Sequence, residues 1–250
     1  MDDLRERLRA LPCGRRLLDA AAGMRGVHLV GGAVRDLLLG REPRELDVVV
    51  EGDVGALAAR LGGDAERLVH ERFGTATVRS GGCRWDLAAS RGERYAHPGA
   101  LPDVFAAGID EDLRRRDVTV NAIALDLSTG ELRAVAHAEQ DVRDRRLRVL
   151  HDASFVDDPT RLVRLARYAA RLGFEVEERT AVFARDAFAS GAPETAGRAR
   201  MGSELLLLLR EPEPVRALLV LRALAGDAPL DPGLEVDQAL LDRVSALLPG

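Results

Sequence analysis

Val27-His28-Leu29-Val30-Gly31-Gly32-Ala33-Val34-Arg35-Asp36 decides the fold: a run of four largely apolar residues, two glycines, then a helix-forming stretch that Gly40 closes. The first four residues read as a short strand and residues 33–39 as a short helix. Adjacent glycines let a phosphate approach the backbone, and a helix start offers unpaired N–H groups and the positive end of its dipole. Arg35 adds a fork of donors that matches phosphate oxygens. A Gly-Gly turn alone is usually only a turn, so phosphate binding needs support from residues further along the chain.

Downstream, Leu46 to Val50 reads as a second strand, entered through Glu45 and ended by Glu51-Gly52-Asp53. Glu45 and Asp47 are separated by one residue, which places both on one face of a strand. Side-by-side carboxylates repel unless a cation lies between them, and such pairs hold Mg²⁺ in phosphoryl-transfer sites. A solvated strand edge is the plain alternative, but the run Val48-Val49-Val50 buries the strand behind the pair. Asp86, on a strand over residues 84–88, is the candidate third carboxylate, either a general base for an attacking hydroxyl or a further metal ligand. For Asp86 too, an exposed strand face is the plain alternative.

Around this centre, residues 1–26 read as an amphipathic helix and 54–61 as another. Residues 74–78 and 84–88 form a hairpin about Ser80-Gly81-Gly82. Residues 91–112, with two prolines and three glycines, read as loop, and 118–127 as a further strand. Beyond about residue 145 the pattern becomes helical, over 159–172, 178–189, 194–210 and 214–224, with no strand between. A short helix over 237–248 completes the chain. The fold class is therefore α+β in a head (1–145), followed by an all-α neck (146–225) and a short helical C-terminal stub (226–250).

Composition narrows the functional classes. The chain has 250 residues, 46% hydrophobic and 31% charged, which excludes a disordered tail or a fibre. All 36 basic residues are arginine, and Asn121 is the only asparagine. Net charge is −5, so a polyanion would have to bind a local basic face. The N-terminus is charged with no apolar run behind it, which argues against a secretory signal, and the leucine run 205–209 is too short to span a bilayer. Cys13 and Cys83 read as two buried or idle thiols, and a cytoplasmic, reducing setting is expected.

Four motifs occur in order: Gly31-Gly32-Ala33-Val34-Arg35-Asp36, Glu45-Leu46-Asp47, Arg115-Arg116-Asp117-Val118-Thr119-Val120-Asn121-Ala122, and Asp157-Asp158-Pro159-Thr160-Arg161. Over roughly residues 25–225 the chain resembles the class II tRNA nucleotidyltransferase (CCA-adding) and bacterial poly(A) polymerase family. The resemblance implies a polymerase-beta-like nucleotidyltransferase head with a mixed sheet, an all-α neck and a Mg²⁺ cofactor. It implies that CMP or AMP is added from CTP or ATP to the 3′ end of an RNA such as tRNA. Gly31, Gly32 and Arg35 would hold the triphosphate, Glu45 and Asp47 the metal, and Asp86 the third acidic position. Arg116, Asp117 and Asn121 would hold ribose and phosphate. Asp158 and Arg161 would read the base, with Arg164 and Arg167 finishing the nucleotide pocket.

The base-reading assignment agrees with chemistry. C presents an amino donor (N4) beside an acceptor (N3), and A presents the same pattern at N6 and N1, so one carboxylate and one guanidinium select both and reject U and G. An Asp and an Arg three apart on a helix face the same way. Arg161, Arg164, Arg167 and Arg171 fall within an arc of roughly 120°. The plain alternatives are an N-cap at Asp158-Pro159 and a solvated arginine face.

The chain departs from the family pattern in places. Glu45 stands where the family has aspartate, Val118 where an aromatic is common, and Ala134-Val135-Ala136-His137-Ala138 where a hinge usually lies, with Asp141 and the following arginines retained. Family members continue into helical body and tail domains, whereas this sequence stops at Pro249-Gly250. A catalytically degenerate member that binds nucleotide or RNA without catalysis stays open as the alternative, as does a small-molecule acceptor. CCA addition, A addition and poly(A) synthesis fit the residues equally, and the neck helices would allow a homodimer.

Overall fold

Pro12 splits the N-terminal amphipathic stretch in two. The computed structural model, which describes residues 4–62, 66–70 and 74–226, has α1 (Leu4–Ala10) and α2 (Pro12–Ala20) in place of one helix. Proline lacks the N–H that would continue α1, and its ring clashes with the preceding turn, so it begins a new helix. Gly14 then lets α2 fold back closely, since a Cβ there would lie 2.1 Å from the Leu8 carbonyl oxygen.

The strand-turn-helix unit forms as read, with β1 (Val27–Val30) and α3 (Gly32–Leu38). After it come β2 (Leu46–Val50), α4 (Val54–Gly62), β3 (Glu66–His70), β4 (Thr75–Ser80) and β5 (Cys83–Ala89). Residues 91–112, expected as loop, contain structure: β6 (Arg91–Arg94) pairs with β7 (Asp103–Ala106), and α5 (Ile109–Arg114) comes next. Gly92 makes the pairing possible, because a Cβ there would meet the Phe105 ring at 2.3 Å.

The strand expected over 118–127 is shorter. Thr119–Asn121 is a 3₁₀ turn, and β8 spans only Ile123–Asp126. Local side-chain bonds outcompete the ladder there. Asp117 accepts from the Val118 N–H at 2.9 Å, and the Thr119 hydroxyl donates to buried Asp141 at 2.7 Å. Asp141 belongs to α6 (Ala138–Arg143), which lies after β9 (Leu132–Ala134).

Seven strands form one mixed sheet in the order β3-β4-β5-β2-β1-β8-β9, in which β2 and β5 run parallel and the other neighbours antiparallel. Leu46, Val48, Trp85 and Leu87 are buried on one face, beside Leu57, Ala58 and Leu61 of α4. The alternate residues of β2 and β5, Asp47 and Asp86 among them, point to the other face.

The cysteines are joined, not idle: Cys13 of α2 and Cys83 of β5 form a disulfide across a Cα–Cα separation of 5.5 Å. Around it, Arg16 donates to the Ser80 carbonyl and hydroxyl at 2.7 Å each and lies over Trp85, whose Nε1 donates to the Cys13 carbonyl. Together these contacts tie α2 to the β4–β5 turn.

The chain divides into two compact units, one from the N-terminal part up to Glu93 with Val104–Asp144, the other from Arg94–Asp103 with the chain from Arg145 on. The second unit contains α7 (Ser154–Asp157), α8 (Thr160–Leu172), α9 (Glu178–Ala189), α10 (Ala192–Thr195), α11 (Arg198–Leu209) and α12 (Pro214–Ala225). Gly197, at φ 79°, breaks the single helix expected over 194–210 into α10 and α11. A two-residue parallel pair, β10 (Arg146–Leu147) with β11 (Glu175–Val176), also interrupts the stretch read as purely helical. The segment 94–103, read as part of the head, groups here through the Gly99 N–H to Val156 carbonyl bond and the Arg200 bond to the Gly99 carbonyl. Apart from Gly226, the stub 226–250, including the helix expected over 237–248, lies outside the described residues. Among the described residues no helix is long and apolar enough to cross a membrane.

Candidate active site

Parallel pairing of β2 with β5 sets Asp47 directly beside Asp86. Glu45 sits just before β2 and is exposed, while Asp47 and Asp86 are half-buried. Burial pushes the Asp47 carboxyl above its ordinary range, Glu45 and then Asp86 push it further, and Arg116 and Arg84 oppose them. Asp86 is held from two sides, by the Thr77 hydroxyl donating at 2.6 Å and by Arg84 at 2.9 Å. Asp47 and Glu45 accept no hydrogen bond and join no ion pair among the described residues. No group of three His, Cys, Asp or Glu side chains there encloses a metal position. The donor set on offer is therefore the Asp47 carboxylate with Glu45 and Asp86 as neighbours. It is all oxygen and anionic, with Asp86 alone paired to an arginine, which fits a hard divalent cation such as Mg²⁺.

Next to the carboxylates lies the glycine turn. Gly31 adopts φ 66°, its N–H donates to the Ile123 carbonyl, and a Cβ on it would lie 2.9 Å from Arg116 Nη1. Glycine is required both by the backbone angle and by the arginine against it. Arg35, expected to offer its fork to phosphate, is instead buried behind the turn. Its Nη1 donates to Asn121 Oδ1 at 2.7 Å and its Nε to Asp36 at 3.0 Å. Asn121 in turn donates to Asp117 Oδ1 at 3.3 Å. Gly31, Gly32, Arg35, Asp117 and Asn121 are thus brought together, with Arg35 as a strut of the turn.

Arg116 is placed differently. Its Nη2 donates to Asp112 at 2.9 Å and its Nη1 to the Asn121 carbonyl at 3.3 Å, while its buried Nε has no partner. Asp112 escaped the sequence reading, although it is fully buried and grips both Arg115 and Arg116. The signal was present: an aspartate three and four residues before two arginines is a helix-face pairing.

In the second unit, Asp158 closes α7 and its Oδ1 receives three donors: the Thr160 N–H at 3.1 Å, the Thr160 hydroxyl at 2.6 Å and Arg200 Nη2 at 2.9 Å. The turn-capping reading holds there, and Oδ2 stays uncommitted among the described residues. Arg161 is buried, donating to Ser154 at 2.9 Å and to the Tyr95 hydroxyl at 3.4 Å, with its guanidinium 6.0 Å from the Tyr95 ring centre. Its charge, after burial, lowers the His151 imidazole below its usual range.

Arg164 donates to the Tyr168 hydroxyl at 2.9 Å. Arg167 is committed to packing: Nε donates to Glu211 at 3.0 Å and Nη1 to Glu204 at 2.7 Å. Arg171 also bonds Glu211. The arginine stripe along α8 is therefore neutralised at its C-terminal end by Glu204 of α11 and by Glu211 just beyond it.

Residues 27–148, which carry the glycine turn and all three carboxylates, match the family model described as the poly A polymerase head domain. The chain is 42% identical over 201 residues to an A-adding tRNA nucleotidyltransferase of Geobacter sulfurreducens, covering 77% of this chain and 23% of that protein. It is 41% identical over 218 residues to a CC-adding tRNA nucleotidyltransferase of Deinococcus radiodurans, covering 85% and 57%. Among solved structures it is similar to a tRNA nucleotidyltransferase complexed with a primer tRNA and an incoming ATP analog, at 32% identity and a TM-score of 0.78, over 92% of this chain and 67% of that one. The chain spans between about a quarter and three-fifths of the length of these curated relatives.

Proposed function

The chain belongs to the poly(A) polymerase head-domain family, alongside the tRNA nucleotidyltransferases it resembles, and from that premise we propose that it transfers CMP or AMP from CTP or ATP to the 3′ end of a tRNA. The observation that carries this reading is the register pairing of Asp47 with Asp86, with Glu45 at the entrance of the same strand.

Mg²⁺ held by Asp47 and Glu45, with Asp86 beside them, would supply Lewis-acid activation of the attacking RNA 3′-hydroxyl and charge neutralisation at the triphosphate. The residues of the chain do the rest. Gly31 keeps the turn free of a Cβ, so the Arg116 guanidinium can lie against the backbone. Arg35 and Asn121 hold that turn rigid from behind. Arg116, fixed by Asp112 and the Asn121 carbonyl, presents its cationic face to the phosphates and ribose. Asp86, held by Thr77 and Arg84, stays an oriented acceptor for the hydroxyl proton.

Base choice is assigned to the second unit. Oδ2 of Asp158 accepts from the exocyclic amine of C or A, and Arg161 donates to the adjacent ring nitrogen. Tyr95 and Ser154 fix the plane of the Arg161 guanidinium. Arg164 lines this pocket, and Arg167 supports it through Glu204 and Glu211.

The test is incorporation of labelled CTP and labelled ATP into a tRNA lacking its 3′ end, with Mg²⁺, by wild type, Asp47→Ala and Glu45→Asp. Incorporation by wild type that Asp47→Ala abolishes supports the reading, and the preferred nucleotide names the activity. Inert protein that still binds nucleotide, in all three forms, would replace it with a non-catalytic binding module.

A further inference from the structure

We propose that Asp112 is the positioning residue for Arg116, setting the plane of the guanidinium that meets the nucleotide; this rests on Arg116 being a nucleotide contact. Asp112 is completely buried near the end of α5. Its two oxygens do different work. Oδ1 accepts from Arg115 Nε at 3.0 Å, from Arg115 Nη2 at 2.7 Å and from the Arg91 N–H at 3.4 Å. Arg115 is further bonded to Glu93 at 3.1 Å and to the Arg91 carbonyl at 3.2 Å, so it is an internal anchor. Oδ2 accepts from Arg116 Nη2 at 2.9 Å.

Arg116 is thereby held at both terminal nitrogens, by Asp112 at Nη2 and the Asn121 carbonyl at Nη1, and two points fix the plane of a rigid fork. That plane lies against Gly31, whose missing Cβ leaves the room it needs. The charge reaches Asp47, where Arg116 is the strongest of the groups that lower its carboxyl.

The other end of α5 is fixed from the same strand that carries Asp47. Glu51 comes directly after β2, and its Oε1 accepts from the Ile109 N–H at the first turn of α5 at 2.6 Å. Glu51 Oε2 lies 3.2 Å from buried His28 on β1. The helix is a strut between the end of β2 and the glycine turn, and Asp112 is where the strut delivers its charge.

A purely structural Asp112 and a positioning Asp112 differ in one measurable respect, the dependence of its effect on Arg116. The experiment measures dissociation constants for ATP and CTP on the whole chain, in wild type, Asp112→Asn, Arg116→Ala and the double variant. Asp112→Asn keeps the shape and removes the charge. The expected result is nucleotide binding weakened about tenfold by Asp112→Asn in wild type and unchanged by it in the Arg116→Ala background. Asp112→Glu, which keeps the charge and displaces it by one methylene, replaces Asp112→Asn if thermal melting shows that variant unfolded, with the same expectation. Equal weakening in both backgrounds overturns the proposal and leaves the nucleotide-binding role of Arg116 standing. Nucleotide binding unaffected by Arg116→Ala itself overturns that role, and this proposal with it.

Discussion

Asp47 and Asp86 are register partners on parallel strands, set side by side with no residue between them. Their neighbours along the two strands, Leu46 with Trp85 and Val48 with Leu87, are register partners too and are buried on the opposite face. A slip of one residue would turn those four side chains outward and the carboxylates inward, so burial of one face dictates the repulsion on the other.

Asp47→Asn is therefore expected to separate activity from stability. Nucleotide incorporation should fall by at least about 10²-fold, while the thermal midpoint stays level or rises, because a half-buried carboxylate facing Glu45 and Asp86 is removed. A calorimetric scan beside the incorporation assay checks both; a large fall in midpoint would make Asp47 a structural residue.

Gly31→Ala strikes the turn in two ways. The φ of 66° costs a side chain about 1–2 kcal/mol, and the new methyl lies 2.9 Å from Arg116 Nη1. At about 2–4 °C per kcal/mol for a chain of this size, the midpoint should drop by several degrees. Nucleotide affinity should weaken as Arg116 is displaced, readable by titration with ATP.

Much of the fold was legible because it is periodic. The strand before Gly31, the strand after Glu45, the 75–89 hairpin and the helix of Arg161 all announce themselves by alternation or helical spacing and by glycine at their ends. What escaped depends on contacts distant in sequence or on local side-chain bonds. Pro12 alone breaks the first helix, and Asp117 and Thr119 convert the expected strand into a 3₁₀ turn. For the candidate site, the sequence offers the residues, and the structure shows which of them are committed to internal contacts. Arg35 and Arg167 look like ligand arginines in sequence, and only the positions of Asn121, Glu204 and Glu211 show their charges committed inside the protein. Asp112 hid in the acidic run 110–112.

Glu211 should make the helical unit sensitive to acid. Burial alone would raise its carboxyl, but hydrogen bonds from Arg171 and then Arg167, with their charges, bring it below its ordinary 4.5. A carboxyl lowered in the folded state contributes fully above its unfolded value and loses that contribution as pH falls through its folded value. Glu211→Gln should cost about 2 kcal/mol at pH 7. The gap between wild type and variant should narrow as pH falls below 4.5 and close once pH has passed through the lowered folded value, as both then melt alike; a gap constant with pH would contradict the ion-pair account.

Cys83→Ser removes a crosslink that closes a span of 70 residues. Loop-closure entropy puts its contribution at about 4 kcal/mol, measurable as a lower denaturant midpoint in the oxidised protein. Wild type treated with reductant should match the variant. A reductant effect that persists in Cys83→Ser would assign the change elsewhere.

The same bond alters what a broken chain looks like. The span from Cys13 to Cys83 includes the glycine turn and Asp47. One peptide-bond cut anywhere within it leaves two pieces still joined, migrating as intact protein until a thiol is added. Damage to that stretch is covalently concealed, and a gel run without reductant would count nicked molecules as whole.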